Sequence, residues 1–195
     1  MYVLASASPR RRELLQLVLP EFAVCPADCD ESCTISDPEQ LVMELSRRKC
    51  RASRALCAAD DVVIAADTLV FLEDTPLGKP RSEAEAREML ARLSGRTHRV
   101  LTAYTLWGNG QEVTRCISTD VIFFPLTAAQ IAAFVATGES MDKAGSYGIQ
   151  GKGALLVQEI RGDYYNVVGL PVSDLARTMA ELGLLPGAVS GADFA

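Results

Sequence analysis

Two places in this sequence combine residue types that ordinary folding does not explain. In the first, Arg10, Arg11 and Arg12 follow Ser8 and Pro9, a pair typical of a helix N-cap and first helical residue. The partial positive charge of a helix N-terminus disfavours cations. Helix-end N–H groups and guanidinium groups both favour phosphate. The segment therefore predicts either a phosphate site or a solvated basic turn.

The other predicted helix starts follow the ordinary rule. Each places Glu or Gln at the third helical position, which is typical of a capping box; these starts lie at Asp37, Ser82 and Thr127. After Ser8 that position is instead held by Arg11. A bound polyanion at this one helix start would remove the conflict.

Asp67 is the second unusual residue, since it interrupts the apolar run of residues 62–71. Burying a carboxylate there without partners costs roughly several kcal/mol. We predict that Asp67 ends a strand, where α/β proteins gather ligand groups, and that it binds Mg²⁺ or acts as a general base toward water. The alternative is an Asp that caps a turn. Leu69 stands where a haloacid-dehalogenase-like phosphatase requires a second Asp, which excludes that class.

Several other charged residues could serve an anion or a metal. Lys49 and Lys79 could neutralise phosphate charge, although a Lys beside an apolar helix stripe more often reaches out to water. Asp28, Asp30 and Glu31 form an acidic cluster. The cluster could supply a second carboxylate to a metal or could simply be solvated.

The glycine-rich segment 145–153 looks like a phosphate loop, but it is not a Walker A loop. Gly153 replaces the Ser or Thr required after Lys152. Its glycines more simply allow a close backbone approach. Within this segment, Gln150 offers an amide donor and an acceptor, which can match the N3–H and carbonyl edge of uracil or thymine.

Composition bounds the class of protein. The chain has 195 residues, of which 49% are hydrophobic and 6% aromatic, as expected for one α/β domain. A net charge of −6 argues against nucleic acid or an anionic membrane as partner, but it allows a small phosphorylated ligand. We find neither a signal peptide nor a run of about 18 apolar residues. We therefore expect a cytoplasmic protein.

The cysteines invite a metal interpretation that we reject. Cys25, Cys29 and Cys33 recur at every fourth residue, but the chain has no second Cys pair and His98 is its one histidine. Zinc sites usually add a second pair of ligands. Reduced thiols of a cytosolic protein are the better interpretation.

Periodicity and turn signals predict alternating strands and helices. Helices are predicted at 9–19, 38–58, 83–93, 128–136 and 172–182, and strands at 2–5, 22–25, 62–66 continued by 68–72, 98–107, 111–124 and 154–160. The helix at 38–58 is expected to bury Leu41, Leu45, Ala52 and Leu56. Residues 73–76 form a turn, and 108–110 a hairpin turn, so the sheet is mixed. We expect one domain over 1–185 and a flexible tail over 186–195.

Six ordered motifs together resemble the Maf family of nucleoside triphosphate pyrophosphatases. They are the segments 4–11, 66–68, 78–80, 93–98, 142–151 and 168–171, and the resemblance runs from about residue 2 to 182. It implies an α/β fold like that of the inosine triphosphate pyrophosphatases, with a mixed twisted sheet, flanking helices and two lobes around a cleft. It also implies cytoplasmic, divalent-metal-dependent hydrolysis of a nucleoside triphosphate to a monophosphate and pyrophosphate.

The resemblance assigns roles residue by residue. Asp67 matches the proton acceptor of the family, and Glu31 matches an acidic position near the metal, so Asp67 and Glu31 are the expected ligands of Mg²⁺ or Mn²⁺. The phosphate-site positions are matched by Ser6, Arg11, Lys49 and Lys79. The three positions that separate subfamilies hold Arg10, Thr68 and Gln150, which resemble the dTTP/UTP type, whereas Trp, Gln and Glu are expected in the 7-methyl-GTP type.

The sequence therefore predicts a house-cleaning pyrophosphatase that acts on dTTP, UTP and modified pyrimidine triphosphates. A nucleotide-binding regulator of cell division without turnover is one alternative. A phosphatase that releases orthophosphate is another. The physiological substrate, the metal and the oligomeric state stay open, although the family makes a homodimer plausible.

Overall fold

A computed structural model describes residues 1–185, so the tail predicted at 186–195 lies outside the described residues. The strands are β1 (Tyr2–Leu4), β2 (Ala23–Val24), β3 (Val62–Leu72), β4 (Thr75–Leu77), β5 (Thr97–Gly108), β6 (Gln111–Phe123) and β7 (Val157–Arg161). The helices are α1 (Pro9–Leu15), α2 (Pro38–Arg54), α3 (Glu83–Leu93), α4 (Ala128–Val135), α5 (Tyr164–Val168) and α6 (Val172–Glu181).

The strands form one seven-stranded sheet in the order β2-β1-β3-β5-β6-β7, with β4 paired to β3. β1 runs parallel to both β2 and β3, whereas β3–β4 and β6–β7 are antiparallel pairs. The sheet is therefore mixed, as predicted. The hairpin between β5 and β6 turns at Asn109 and Gly110, both with positive φ, which is the backbone that a tight hairpin turn requires.

The helix starts confirm the capping pattern. At each of the four predicted N-caps a side-chain oxygen accepts the backbone N–H three residues on; the caps are Ser8, Asp37, Ser82 and Thr127. At Thr127 the capping box is complete, because Gln130 bonds back to the cap. The third helical position after Ser8 is Arg11, so the basic helix start is real.

The described chain separates into two compact units. Of the described residues, the first contains 1–67, 102–116 and 169–185, and the second contains 68–101 and 117–168. In the first unit, a buried cluster of Val3, Ala5, Cys50, Val63 and Ala65 is covered by partly buried side chains that include Trp107. The second unit has an apolar core of its own, to which α3, α4 and the β6 residue Phe123 contribute.

The prediction of which α2 residues are buried is wrong for three of the four. Leu45 is buried, but Leu56 lies beyond the helix and is 68% exposed, and Leu41 and Ala52 are only half-buried. The face that is buried consists of Val42, Leu45, Ser46, Cys50 and Ser53. Three of these side chains are small and polar and can bond to neighbouring carbonyl oxygens, an option that a hydropathy pattern does not register.

Other differences concern the bounds of elements. α1 stops at Leu15, and residues 16–18 form turns in which Leu17 and Val18 donate to carbonyl oxygens three residues back instead of four. The strand predicted at 154–160 begins only at Val157, since 151–156 form a 3₁₀ segment. The turn predicted at 73–76 is limited to Glu73 and Asp74, and β4 begins at the next residue. The five-residue helix α5 was not predicted, because it is too short to show a period.

No helix within residues 1–185 is long and apolar enough to cross a membrane. The six cysteines are all free thiols.

Candidate functional site

The basic helix start of the first unit holds one arginine in a defined position. Arg11 donates from Nε to the carbonyl oxygen of Gly169 at 2.9 Å and from Nη1 to Oγ of Ser6 at 3.3 Å. Ser6 also accepts the backbone N–H of Ser8 at 3.3 Å. The guanidinium is thus held between the loop that follows β1 and the segment that precedes α6. Arg10 is half-buried beside it, whereas Arg12 is exposed.

Asp67 lies at the centre of the second group of predicted residues, but not at a strand end. β3 continues through it to Leu72, so the predicted position was wrong and the alternative of a turn-capping Asp is excluded. Its side chain is buried, and Oδ1 accepts a hydrogen bond from Lys49 Nζ at 2.5 Å. The same Nζ lies 3.2 Å from Oε1 of the exposed Glu31. The ammonium of Lys49 therefore bridges the two predicted metal-binding carboxylates.

Hydrogen bonds between α2 and the sheet determine where Lys49 points. One turn before it, Ser46 bonds to Oγ1 of Thr105 at 2.9 Å and to the carbonyl of Ala65 at 3.5 Å. Ala65 precedes Asp67 by two residues on β3, so both residues face the same side of the strand. The buried Ser46 thus fixes α2 against the strand that carries Asp67.

Arg48 holds the loop that carries Glu31. Its Nη1 donates to the carbonyl oxygens of Asp30 and Ser32, at 3.0 and 2.7 Å, while Nε donates to Glu44. The loop backbone is thus fastened to α2 on both sides of Glu31. Sequence reasoning missed Ser46 and Arg48. A recurrence of small residues at positions 46, 50 and 53, at helical spacing around Lys49, was the available signal for the first.

The electrostatics of this group keep Lys49 charged. Burial lowers the pKa of Lys49, but the charges and hydrogen bonds of Asp67 and Glu31 outweigh burial and raise that pKa above its ordinary value. Burial lowers the pKa of Arg11, and the negative charge of Asp67 offsets only part of this decrease. A guanidinium nevertheless stays protonated in proteins. Arg11 and Lys49 are thus both cations that sense Asp67 in one unit.

The carboxylate pair fits a divalent cation that takes its remaining ligands from elsewhere. Oδ2 of Asp67 is buried without a hydrogen-bond partner in the part of the chain that the structure describes, although a buried carboxylate oxygen normally has one. Residues 1–185 contain no cluster of three or more His, Cys, Asp or Glu that could hold a metal. Mg²⁺ typically binds through one or two carboxylates plus water and substrate phosphate, which suits Asp67 and Glu31.

The remaining predicted residues belong to the second unit. Thr68 follows Asp67 on β3 and is half-buried, while Lys79 and Gln150 are exposed. Their two loops are joined, because Gly145 N–H donates to the carbonyl of Gly78 at 3.1 Å.

The glycines of the segment 145–153 allow close backbone approach, as predicted. A Cβ at Gly153 would lie 1.9 Å from the carbonyl oxygen of Gly148, and one at Gly145 would lie 3.0 Å from Val70. A side chain at Gly153 would clash with backbone, and one at Gly145, whose φ is +70°, would be strained and would require Val70 to shift by a few tenths of an ångström. The glycines therefore serve the folding of the loop that carries Gln150.

Comparison with known proteins agrees with the motifs. The sequence profile of the family described as Maf-like protein matches residues 1–182. The dTTP/UTP pyrophosphatase of Thermococcus kodakarensis is 49% identical over 183 residues, covering 94% of this chain and 97% of the relative. That of Bacillus cereus is 46% identical over 183 residues, covering 93% and 95%.

A solved structure shares the fold. The HAM1 protein from Coxiella burnetii superposes with a TM-score of 0.54 at 16% identity, and the match covers 92% of this chain and 98% of that protein. The predicted α/β fold with a mixed sheet is thereby confirmed.

Proposed function

Since this chain belongs to the Maf-like family, we propose that it is a nucleoside triphosphate pyrophosphatase that cleaves dTTP and UTP to the monophosphate and pyrophosphate. Relatives that are 46% and 49% identical over almost the whole chain bear that name. The observation that carries the proposal is the buried Asp67, which faces Lys49 and Glu31 and has one carboxylate oxygen without a partner within residues 1–185.

Phosphate binding is assigned to four residues. Arg11 and Ser6 act at the start of α1, where backbone N–H groups and the guanidinium favour the same anion. Lys49 and Lys79 supply further positive charge. The 2.9 Å bond from Arg11 to Gly169 supports this role, because a side chain already held in place loses little entropy when it binds. Arg10, Thr68 and Gln150 select the base.

The chemistry follows from Asp67. As a general base, its carboxylate takes a proton from the attacking water, whose oxygen bonds to the α-phosphorus while the bond to the bridging oxygen breaks and pyrophosphate leaves. Lys49 stabilises the negative charge that develops on the phosphate oxygens, whereas Arg11 holds the triphosphate equally in the ground state and the transition state and so acts on KM. Asp67 and Glu31 would hold Mg²⁺ or Mn²⁺, which would supply Lewis-acid polarisation of the α-phosphate.

The test is to identify the products. The protein is incubated with dTTP, UTP, CTP, GTP and ATP, with Mg²⁺, with Mn²⁺ and with a chelator, and the phosphates are separated by ion-exchange chromatography. We expect pyrophosphate and monophosphate from dTTP and UTP, and none with chelator. Orthophosphate with a diphosphate would identify a phosphatase, and saturable binding without turnover a regulator. If pyrophosphate is still released with chelator, the proposed role of the cation is wrong, but the proposed activity is not.

Arg10 and Arg11 should differ in what they control. Arg11→Ala should raise KM for every triphosphate by about tenfold or more, the value of one hydrogen bond to a charged group. Arg10→Trp should instead change the ratio of kcat/KM between dTTP and GTP. Steady-state kinetics on both nucleotides check this, with the exposed Arg12→Ala as the unaffected control. Equal, base-independent effects of the Arg10 and Arg11 variants would contradict the division.

We also infer that the substrate is a small nucleotide rather than nucleic acid, since the net charge is −6. A cytoplasmic location, the absence of a membrane partner and a homodimer remain predictions. Gel filtration of the purified chain tests the last of these.

A further inference from the structure

One motif of the chain takes no part in the hydrolysis itself, although its backbone has a conformation that most residues avoid. In Val168-Gly169-Leu170-Pro171 all four residues are buried, and Gly169 has φ +129°. L-residues rarely adopt such a φ, whereas glycine does so without a steric penalty. The motif therefore directs one peptide group in a way that another residue would not allow.

The peptide carbonyl of Gly169 is directed at the phosphate-site arginine. It accepts the Nε–H of Arg11 at 2.9 Å, across 158 positions of sequence. Together with the 3.3 Å bond from Nη1 to Ser6, it determines the plane of the guanidinium, because two separate nitrogens are held. Without the carbonyl, the rotamer-rich arginine side chain would have to be ordered when the substrate binds, which costs affinity.

The surroundings of Gly169 make its carbonyl a fixed acceptor. Val168 and Leu170 are 7% and 0% exposed. Pro171 occupies the N-cap position of α6, and a proline restricts the residue before it to extended backbone. The carbonyl therefore cannot follow a displaced Arg11 without moving buried side chains.

We propose that Gly169 is a positioning residue of the enzyme, whose carbonyl holds the Arg11 guanidinium in the orientation that binds the triphosphate. The proposal rests on the proposed function, since it requires Arg11 to contact phosphate. The Cβ of a residue other than glycine forces φ at this position toward negative values and turns the carbonyl away from Arg11.

The test compares Gly169→Ala with Gly162→Ala. Gly162 has nearly the same φ, +131°, and its added Cβ would meet Thr119 at 2.8 Å, so the control variant is strained as well. We expect both variants to unfold at lower urea concentration. Only Gly169→Ala should raise KM for dTTP, by about tenfold, with kcat nearly unchanged. Equal KM values for the two variants would overturn the proposal.

A double-mutant cycle shows whether Gly169 acts through Arg11. In the Arg11→Ala background, Gly169→Ala should leave KM as it is; a further rise would overturn the proposal. Arg11→Lys keeps the charge but has no Nε–H for the carbonyl, so its KM should also rise, and a wild-type KM would overturn the proposal even if Gly169→Ala does not fold. A wild-type KM for Arg11→Ala would contradict the assigned function of Arg11 itself.

Discussion

Asp67→Asn should lower pyrophosphate release from dTTP by about a thousandfold, the contribution of a positioned general base. An amide has nearly the shape of the carboxylate but cannot take the proton of the attacking water. Its Oδ1 can still accept the hydrogen bond from Lys49, now 2.5 Å long. We therefore expect the variant to fold and, with no divalent cation present, to bind dTTP at least as tightly as the wild type, because a negative charge near the triphosphate is gone.

The matched control for this variant is Asp61→Asn. Asp61 is also buried, and its carboxylate accepts Ala58 N–H at 2.8 Å and pairs with the Met1 amino group at 3.0 Å. Its removal should lower the free energy of unfolding without changing kcat. Pyrophosphate release and calorimetric dTTP binding are measured for both variants. An Asp67 variant that still hydrolyses dTTP at the wild-type rate would show that the mechanism is wrong.

Acidification should destabilise the protein through His98. This residue is 1% exposed, contacts Phe123 and Tyr147 edge-on, and its Nε2 lies 2.7 Å from the Tyr147 hydroxyl. Burial lowers the pKa of His98 to about 4, whereas that of an unfolded histidine is about 6.5. Its neutral form thus stabilises the fold fully above about pH 6.5, and this contribution falls by about 3 kcal/mol as the pH drops to about 4.

The contribution can be isolated by urea unfolding, followed by circular dichroism, of the wild type and His98→Gln. Between about pH 7.5 and 5 the wild type should lose about 2 kcal/mol more than the variant, since the variant has no imidazole to protonate in the unfolded chain. The free energy of unfolding of the variant is lower at both pH values, because the bond to Tyr147 changes. The test therefore compares how much each protein's free energy of unfolding changes between the two pH values. Parallel losses in both proteins would refute the assignment to His98.

Short-range features of this chain could be predicted from the sequence. Ser8, Asp37 and Thr127 cap their helices because a cap depends on residues within one turn. The turn at Asn109 and Gly110 follows from backbone preferences of those two residues. Both kinds of feature need no knowledge of the tertiary fold.

The arrangement of the site could be predicted only in part. Asp67 could be identified because burying a carboxylate within an apolar run costs free energy. Its partner Lys49, however, is 18 positions away in the sequence, and the bond from Arg11 to Gly169 spans 158 positions. Nothing in the local sequence specifies such partners. The buried serine at 46 was missed for a related reason, since its burial is favourable only once Thr105 is beside it.

The location of Trp107 has a spectroscopic consequence. It is the one tryptophan of the chain, it packs on the buried cluster of the first unit, and the Arg54 guanidinium lies 5.5 Å from its ring centre. Intrinsic tryptophan emission therefore reports on the unit that contains Asp67, Lys49 and Arg11, while circular dichroism reports on both. Unfolding curves that coincide in the two signals would mean that the units unfold together, and a separation would assign the earlier loss to one of them.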